Sequence, residues 1–115
     1  GIGWENKERM ALQERGPAET IFALALIHHL AISNNVPLAK IARLFSNTCQ
    51  SLIIEFIPKS DSMVQKLLTS RKDIFPDYTQ KAFEIEFAEF FNTIQSEMVG
   101  ESGRILYLMK KKSPI

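Results

Sequence analysis

Two short apolar runs on either side of one amphipathic stretch constrain the fold of this chain most strongly. The runs are "TIFALALI" at residues 20–27 and "SLIIEFI" at residues 51–57, and each is apolar almost throughout. Runs of this length and composition are typical of strands covered on both faces in a parallel sheet. The Ala and Leu content of the first run also suits a helix, so that alternative stays open, whereas Pro58 closes the second run as a strand.

The stretch between the two runs has helical spacing. Four apolar residues fall at i, i+3, i+4 and i+7, and Pro37 stands in the first turn: Leu38, Ile41, Ala42 and Phe45. The order of strand, helix and strand predicts a parallel βαβ unit with a right-handed crossover.

The other elements follow from similar patterns. Helices are predicted at residues 6–15, 60–71 and 79–91, where Thr79 opens the last of them, and an antiparallel hairpin is predicted from "NTIQSEMV" and "RILYLMKK" about the turn "GESG". The predicted fold class is therefore α/β, with parallel strands, crossover helices and a C-terminal antiparallel hairpin, in a single domain of 115 residues.

Composition and charge limit the classes of binding partner and the cellular setting that we expect. Fourteen basic against thirteen acidic residues give a net charge of +1, so nothing points to nucleic acid or an anionic membrane as a partner. The uncharged residues 20–36 are too few and too polar to span a bilayer, and no signal peptide is evident. The lone Cys49 predicts a reducing, cytoplasmic setting and a role as a small buried hydrophobe. Because residue 1 is not Met, we expect further sequence upstream.

Both histidines of the chain stand side by side, at the end of the first apolar run. Adjacent residues point to opposite faces of a strand or diverge by about 100° on a helix, so His28 and His29 are not expected to bind one ion together. The chain has no HExxH motif or clustered cysteines and no G-x-S-x-G elbow. We therefore expect neither a metal site nor a serine hydrolase.

The position of the histidines is more informative than their pairing. In an open parallel sheet, ligands bind outside the carboxyl ends of the strands, and the next strand places Glu55, Lys59 and Asp61 at the same edge. These groups predict a binding or catalytic site at this edge of the sheet, which we call the rim. The spacing alone slightly favours the structural alternative, in which the histidines are hydrogen-bonded framework residues and the charged groups serve as caps.

Three segments resemble a known family. "AETIFALALIHHLAISNNVPLAKIARLF", "LIIEFIPKSDSMVQKLL" and "IFPDYTQKAFE", in that order, are similar to the C-terminal half of class I S-adenosylmethionine-dependent methyltransferases, particularly a bacterial nodulation-type group. The resemblance covers residues 4–111. Its most specific elements are residues 26–30, 55–61 and 75–79.

The resemblance implies a seven-stranded Rossmann-like sheet, in which residues 20–27 are the fourth strand, 51–57 the fifth and the hairpin the sixth and seventh. It implies that His28 and His29 face the reactive methyl group as catalytic candidates. Four further residues are candidates for substrate binding at the same edge of the sheet: Glu55, Lys59, Asp77 and Tyr78. The Gly-rich loop and the acidic residue that hold the cofactor in such enzymes are not in this sequence, so S-adenosylmethionine is expected only in an intact parent protein.

Two functions stay open. The first is a segment of a methyltransferase acting on a small-molecule or protein acceptor, inactive by itself. The second is a non-catalytic interaction module derived from a truncated or degenerate methyltransferase. In either case, the strand at residues 20–27 would lack a neighbour on one side, which predicts self-association as a dimer.

Overall fold

A computed structural model describes residues 18–69 and 75–112. In chain order, these residues form β1 (Ala18–Ala23), a short π-helix (His29–Ser33), α1 (Leu38–Ser46), β2 (Cys49–Phe56), α2 (Ser62–Thr69), α3 (Gln80–Ala88), β3 (Phe91–Met98) and β4 (Ile105–Lys111). The mixed α/β class predicted from the sequence is confirmed. The helix predicted at residues 6–15 lies outside the described residues.

The four strands form one sheet in the order β1-β2-β4-β3. β1 and β2 are parallel, β2 and β4 are antiparallel, and β4 is antiparallel to β3. The predicted parallel unit and the predicted C-terminal hairpin are therefore both present. The second strand of the hairpin lies inside the sheet and the first lies at its edge, so β1 and β3 are the two edge strands of the described sheet.

The core lies between one face of the sheet and the helices α1 and α3. Leu52, Ile54 and Phe56 alternate along β2 and are fully buried on this face. The ring of Phe83 in α3 lies 5.1 Å from the rings of both Phe56 and Tyr107, measured between centroids. An aromatic cluster therefore joins α3 to β2 and β4, and burial of these large rings contributes much of the apolar stabilisation.

The opposite face of the sheet is less covered. Phe22 of β1 is 58% exposed, and it pairs across the sheet with Ile53, which in turn pairs with Leu108. Ile53 and Leu108 are half-buried. An apolar row therefore crosses three strands on the face away from α1 and α3.

The largest difference from the predicted elements is at the first strand. The apolar run was expected to be a strand through residue 27, but β1 ends at Ala23 and Ala25 adopts a left-handed backbone conformation with φ of 52°. A positive φ is incompatible with an extended strand, so the chain turns there and a helical segment begins at Ile27. The histidines consequently lie beyond a turn and not at the strand end itself.

The other bounds shift by a few residues. β2 begins at Cys49, two residues earlier than predicted, and α3 ends at Ala88 because Phe91 starts β3. The predicted start of α3 at Thr79 is confirmed, and the Thr79 hydroxyl caps this helix by accepting a hydrogen bond from the Ala82 N–H at 3.1 Å. Cys49 is fully buried, and burial raises its thiol pKa to about 11, so its predicted role as a buried apolar side chain is confirmed. Among the described residues, no helix has both the length and the hydropathy needed to cross a bilayer.

Candidate functional site

The two histidines separate into a buried ring and an exposed ring. His28 is 1% exposed, whereas His29, the first residue of the π-helix, is exposed. Their ring centroids are only 4.3 Å apart with the planes tilted by 38°. Within the described structure, a molecule approaching from solvent therefore meets the His29 ring first, and the His28 ring lies beneath it.

Burial keeps the His28 ring neutral. Burial is the largest cause, and together with the nearby positive groups His29 and Arg104 it lowers the pKa of His28 from 6.5 to about 4, with Asp61 opposing them. Its Nδ1 atom is buried without a hydrogen-bond partner among the described residues. An unpaired buried ring nitrogen is uncommon in proteins and occurs at functional sites or where a bound group completes the bonding. His28 is thus a neutral, partly unsatisfied imidazole at physiological pH.

Glu55 holds the turn that leads to the histidines. Its side chain is on the face of β2 that is away from the core, yet the residue is only 8% exposed. One carboxylate oxygen, Oε1, accepts a hydrogen bond from the Ala25 N–H at 2.9 Å, joining residues thirty positions apart. The carboxylate therefore bonds to backbone at the point where the chain leaves β1.

A part-buried ion pair lies at the same end of the sheet. Arg104 donates two hydrogen bonds to Asp61, one from Nε to Oδ2 at 2.8 Å and one from Nη2 to Oδ1 at 3.1 Å. Asp61 also accepts the Met63 N–H at 2.9 Å, which caps the start of α2. The hydrogen bond from Arg104 is the main cause that holds the pKa of the Asp61 carboxyl below its usual range.

Arg104 is the site residue that sequence reasoning missed. It stands just before β4, whose Ile105 pairs with Phe56 at the carboxyl end of β2, so the antiparallel register carries Arg104 to the rim. The partner in the ion pair is forty-three positions away along the chain. The only signal in the sequence was a single arginine at the end of the hairpin turn, which is not distinctive without the register.

Three other predicted candidates have different surroundings. The Tyr78 hydroxyl is buried and donates to the Ile57 carbonyl, and burial raises its pKa well above the usual value. The Lys59 carbonyl accepts a bond of 2.6 Å from Gln65 Nε2, and Lys59 is half-buried. Asp77 is exposed. The structure thus brings Glu55 and Asp61 to the rim with the histidines, and it places Tyr78 in the core.

Asp77 lines a separate cleft of about 480 Å³ between the start of α1, residues 75–78 and α3. Its lining includes the polar residues Asn35, Asp77, Tyr78 and Glu86 and the apolar residue Val36. Neither histidine lines this cleft, so it is distinct from the rim.

The rim has no set of metal ligands. No group of three or more His, Cys, Asp or Glu side chains with metal-binding geometry occurs within residues 18–69 and 75–112. What the rim does offer is a carboxylate bonded to backbone, a neutral buried imidazole, an exposed imidazole and a fixed ion pair. This arrangement is suited to orienting a ligand and exchanging a proton with it.

Comparison with known proteins relates the chain to part of a longer protein. It is 37% identical over 109 residues to nodulation protein NoeA of Rhizobium meliloti (strain 1021), an alignment that covers 95% of this chain and 23% of NoeA. The chain thus spans about a quarter of the length of this curated relative. No family model matches the sequence, and no solved structure matches it.

Proposed function

We propose that this chain is the acceptor-side part of an S-adenosylmethionine-dependent methyltransferase that acts on a small-molecule or protein acceptor. The single observation that carries the proposal is the convergence of His28, His29, Glu55 and the Asp61–Arg104 pair at the carboxyl ends of two parallel strands. This edge of an open α/β sheet is where ligands bind. The lone buried Cys49 supports a cytoplasmic location.

The strand arrangement supports the same proposal. The resemblance in sequence implies two parallel strands followed by an antiparallel hairpin at one edge, and the described sheet has two parallel strands followed by such a hairpin. The similarity to NoeA covers almost the whole chain, which supports the view that the segment belongs to a longer protein.

The described residues do not by themselves fit the cofactor. The turn after β1 and the segment after β2 contain no glycine, and the two glycines of the described chain, Gly100 and Gly103, are both in the hairpin turn. A close backbone approach to the cofactor, of the kind that Gly-rich loops provide, is therefore not built from these residues. We propose that polypeptide outside this sequence holds S-adenosylmethionine.

The proposed contribution of this chain is to orient the acceptor and to handle its proton. The exposed His29 is the better placed of the two histidines to accept a proton from a hydroxyl or amine nucleophile, since its ring meets solvent whereas the His28 ring is buried. The neutral His28 ring packs beside the His29 ring, with the two ring centroids 4.3 Å apart. Alignment of the acceptor then supplies much of the rate enhancement.

Calorimetry with S-adenosylmethionine tests the proposal. We expect weak or no binding to these 115 residues and stoichiometric binding to a full-length protein that contains them. Tight binding by the 115-residue chain would contradict the division of roles. A full-length protein that binds no S-adenosylmethionine would contradict the methyltransferase proposal and favour an interaction module, whose supporting feature is the exposed Phe22 on the edge strand β1.

A further inference from the structure

The segment that joins β1 to the histidines has an unfavourable backbone conformation. Ala25 has φ of 52°, a region that side chains with a Cβ atom rarely adopt. A residue in this region stays there only when its surroundings hold it. The local sequence "ALALIHH" contains no glycine or asparagine that would favour such a turn.

The hydrogen bond from Ala25 to Glu55 is the described contact that holds this conformation. The Ala25 N–H donates to Glu55 Oε1 at 2.9 Å, and Glu55 is 8% exposed. Such a bond to a carboxylate is stronger than one between neutral groups, and shielding from water strengthens it further. Glu55 itself is fixed because β2 is paired on both sides, with β1 and with β4.

The turn leads directly into the histidines. Leu26, the next residue, accepts backbone hydrogen bonds from the N–H groups of His29 at 3.0 Å and Leu30 at 3.3 Å, and these bonds start the helical segment. Any rotation of the backbone at Ala25 therefore changes the direction in which that segment leaves the sheet. The two histidine rings follow this direction, since both residues belong to the first turn of the segment.

We propose that Glu55 is a positioning residue, whose carboxylate fixes the left-handed turn at Ala25 and thereby sets where the His28 and His29 rings stand at the rim. Its importance for methyl transfer rests on the proposed function, but its effect on the rings does not. This positioning role takes the place of the substrate-binding role predicted for Glu55, because its carboxylate oxygen Oε1 already accepts the Ala25 N–H.

Nuclear magnetic resonance of the two histidine rings in the full chain tests this proposal. Glu55→Gln keeps an oxygen acceptor of the same reach, whereas Glu55→Leu removes it. We expect Glu55→Leu to shift the ring resonances of both histidines and to weaken the cross-relaxation between the two rings. Glu55→Gln should stay close to the wild type, and Glu55→Asp, which withdraws the acceptor by one methylene, should fall between them.

Ala25→Gly separates positioning from stability. Glycine adopts a positive φ without steric cost but is equally ready to leave it. We expect Glu55→Leu to lower the midpoint of unfolding. Adding Ala25→Gly to this variant should restore part of that midpoint, while the histidine ring resonances stay displaced from their wild-type positions. Asn35→Gly is the matched control, because Asn35 also has a positive φ, 54°, in a turn that Glu55 does not contact.

Two outcomes would overturn the proposal. One is a folded Glu55→Leu chain whose histidine resonances and ring contacts match the wild type. The other is Glu55→Gln displacing the rings as far as Glu55→Leu does, since the hydrogen bond would then not be the cause. If Glu55→Leu does not fold, the comparison of Glu55→Asp with Glu55→Gln decides the question. None of these measurements depends on cofactor binding or turnover, so they can fail independently of the methyltransferase proposal.

Discussion

Arg104 and Asp61 form a two-bond ion pair that joins the C-terminal hairpin to the segment after β2. The Nε–Oδ2 distance is 2.8 Å, and the two side chains are 24% and 7% exposed, respectively. Pairs that are mostly removed from water are costly to break, because the remaining partner stays buried without its counter-charge.

Substitution of Arg104 should therefore destabilise the fold. We expect Arg104→Gln to lower the free energy of unfolding by about 2 kcal/mol, since the pair is part-buried and the substitution leaves the Asp61 carboxylate with only its backbone partner. The double variant Arg104→Gln/Asp61→Asn should lose less than the sum of the single variants. Urea denaturation measures these changes, and Arg43→Gln, at an exposed position of α1, is the control with an expected effect below about 0.5 kcal/mol. Additive effects of the two substitutions would contradict the coupling.

The His28 environment predicts a loss of stability in mild acid. Its pKa is lowered from 6.5 to about 4 in the folded chain, so the unfolded chain binds the proton more readily between these values. The stability that comes from the neutral His28 ring is therefore fully present above pH 6.5 and is lost as the pH is lowered toward 4. The full contribution is on the order of 3 kcal/mol, mainly because burial disfavours the charged ring.

Unfolding by urea at several values between pH 7 and pH 4.5 measures this slope. His28→Phe removes the titrating group while keeping an aromatic ring, and it should flatten the dependence on pH. His29→Gln is the matched control, because it removes the exposed ring beside His28 and keeps the buried His28 ring whose titration is tested. A slope that persists in His28→Phe would show that another group causes it.

The local elements were predictable because their signals are local. The spacing of Leu38, Ile41 and Phe45, the Thr79 cap and the glycine-bounded hairpin turn each specify one element within a few residues, and all three are present. The position of the rim also followed from the sequence, because the carboxyl ends of parallel strands share one edge.

The contacts within the rim were not predictable in the same way. The end of β1 at Ala23 depends on the hydrogen bond from Ala25 to Glu55, thirty positions away, and nothing in "TIFALALI" signals it. The Asp61–Arg104 pair depends on the antiparallel register of β4. The different exposure of His28 and His29 depends on tertiary packing, which two identical adjacent residues do not encode.

The exposed histidine should matter more for turnover than the buried one. In a full-length protein with its methyl acceptor, we expect His29→Ala to lower kcat by a factor on the order of 10² to 10⁴ if it is the general base. His28→Ala is the comparison, and loss of its buried ring should act first on stability. Transfer of labelled methyl groups from S-adenosylmethionine measures kcat, and urea denaturation measures stability. Full activity of the His29→Ala variant would show that His29 is not the base.

The edge strand β1 predicts self-association of the chain. Within the described residues, β1 pairs with β2 on one side only, and Phe22 and Leu24 beside it are 58% and 53% exposed. An apolar edge of this kind is a template for pairing with another chain, and a two-fold dimer would cover both copies at once. We expect the apparent mass from light scattering to rise with concentration, and amides of β1 to be protected from hydrogen exchange. Phe22→Lys should suppress association, whereas Ile94→Lys, on the opposite edge strand β3 with the same 58% exposure, should not. A monomer at every concentration, or equal effects of the two lysine variants, would contradict an interface at β1.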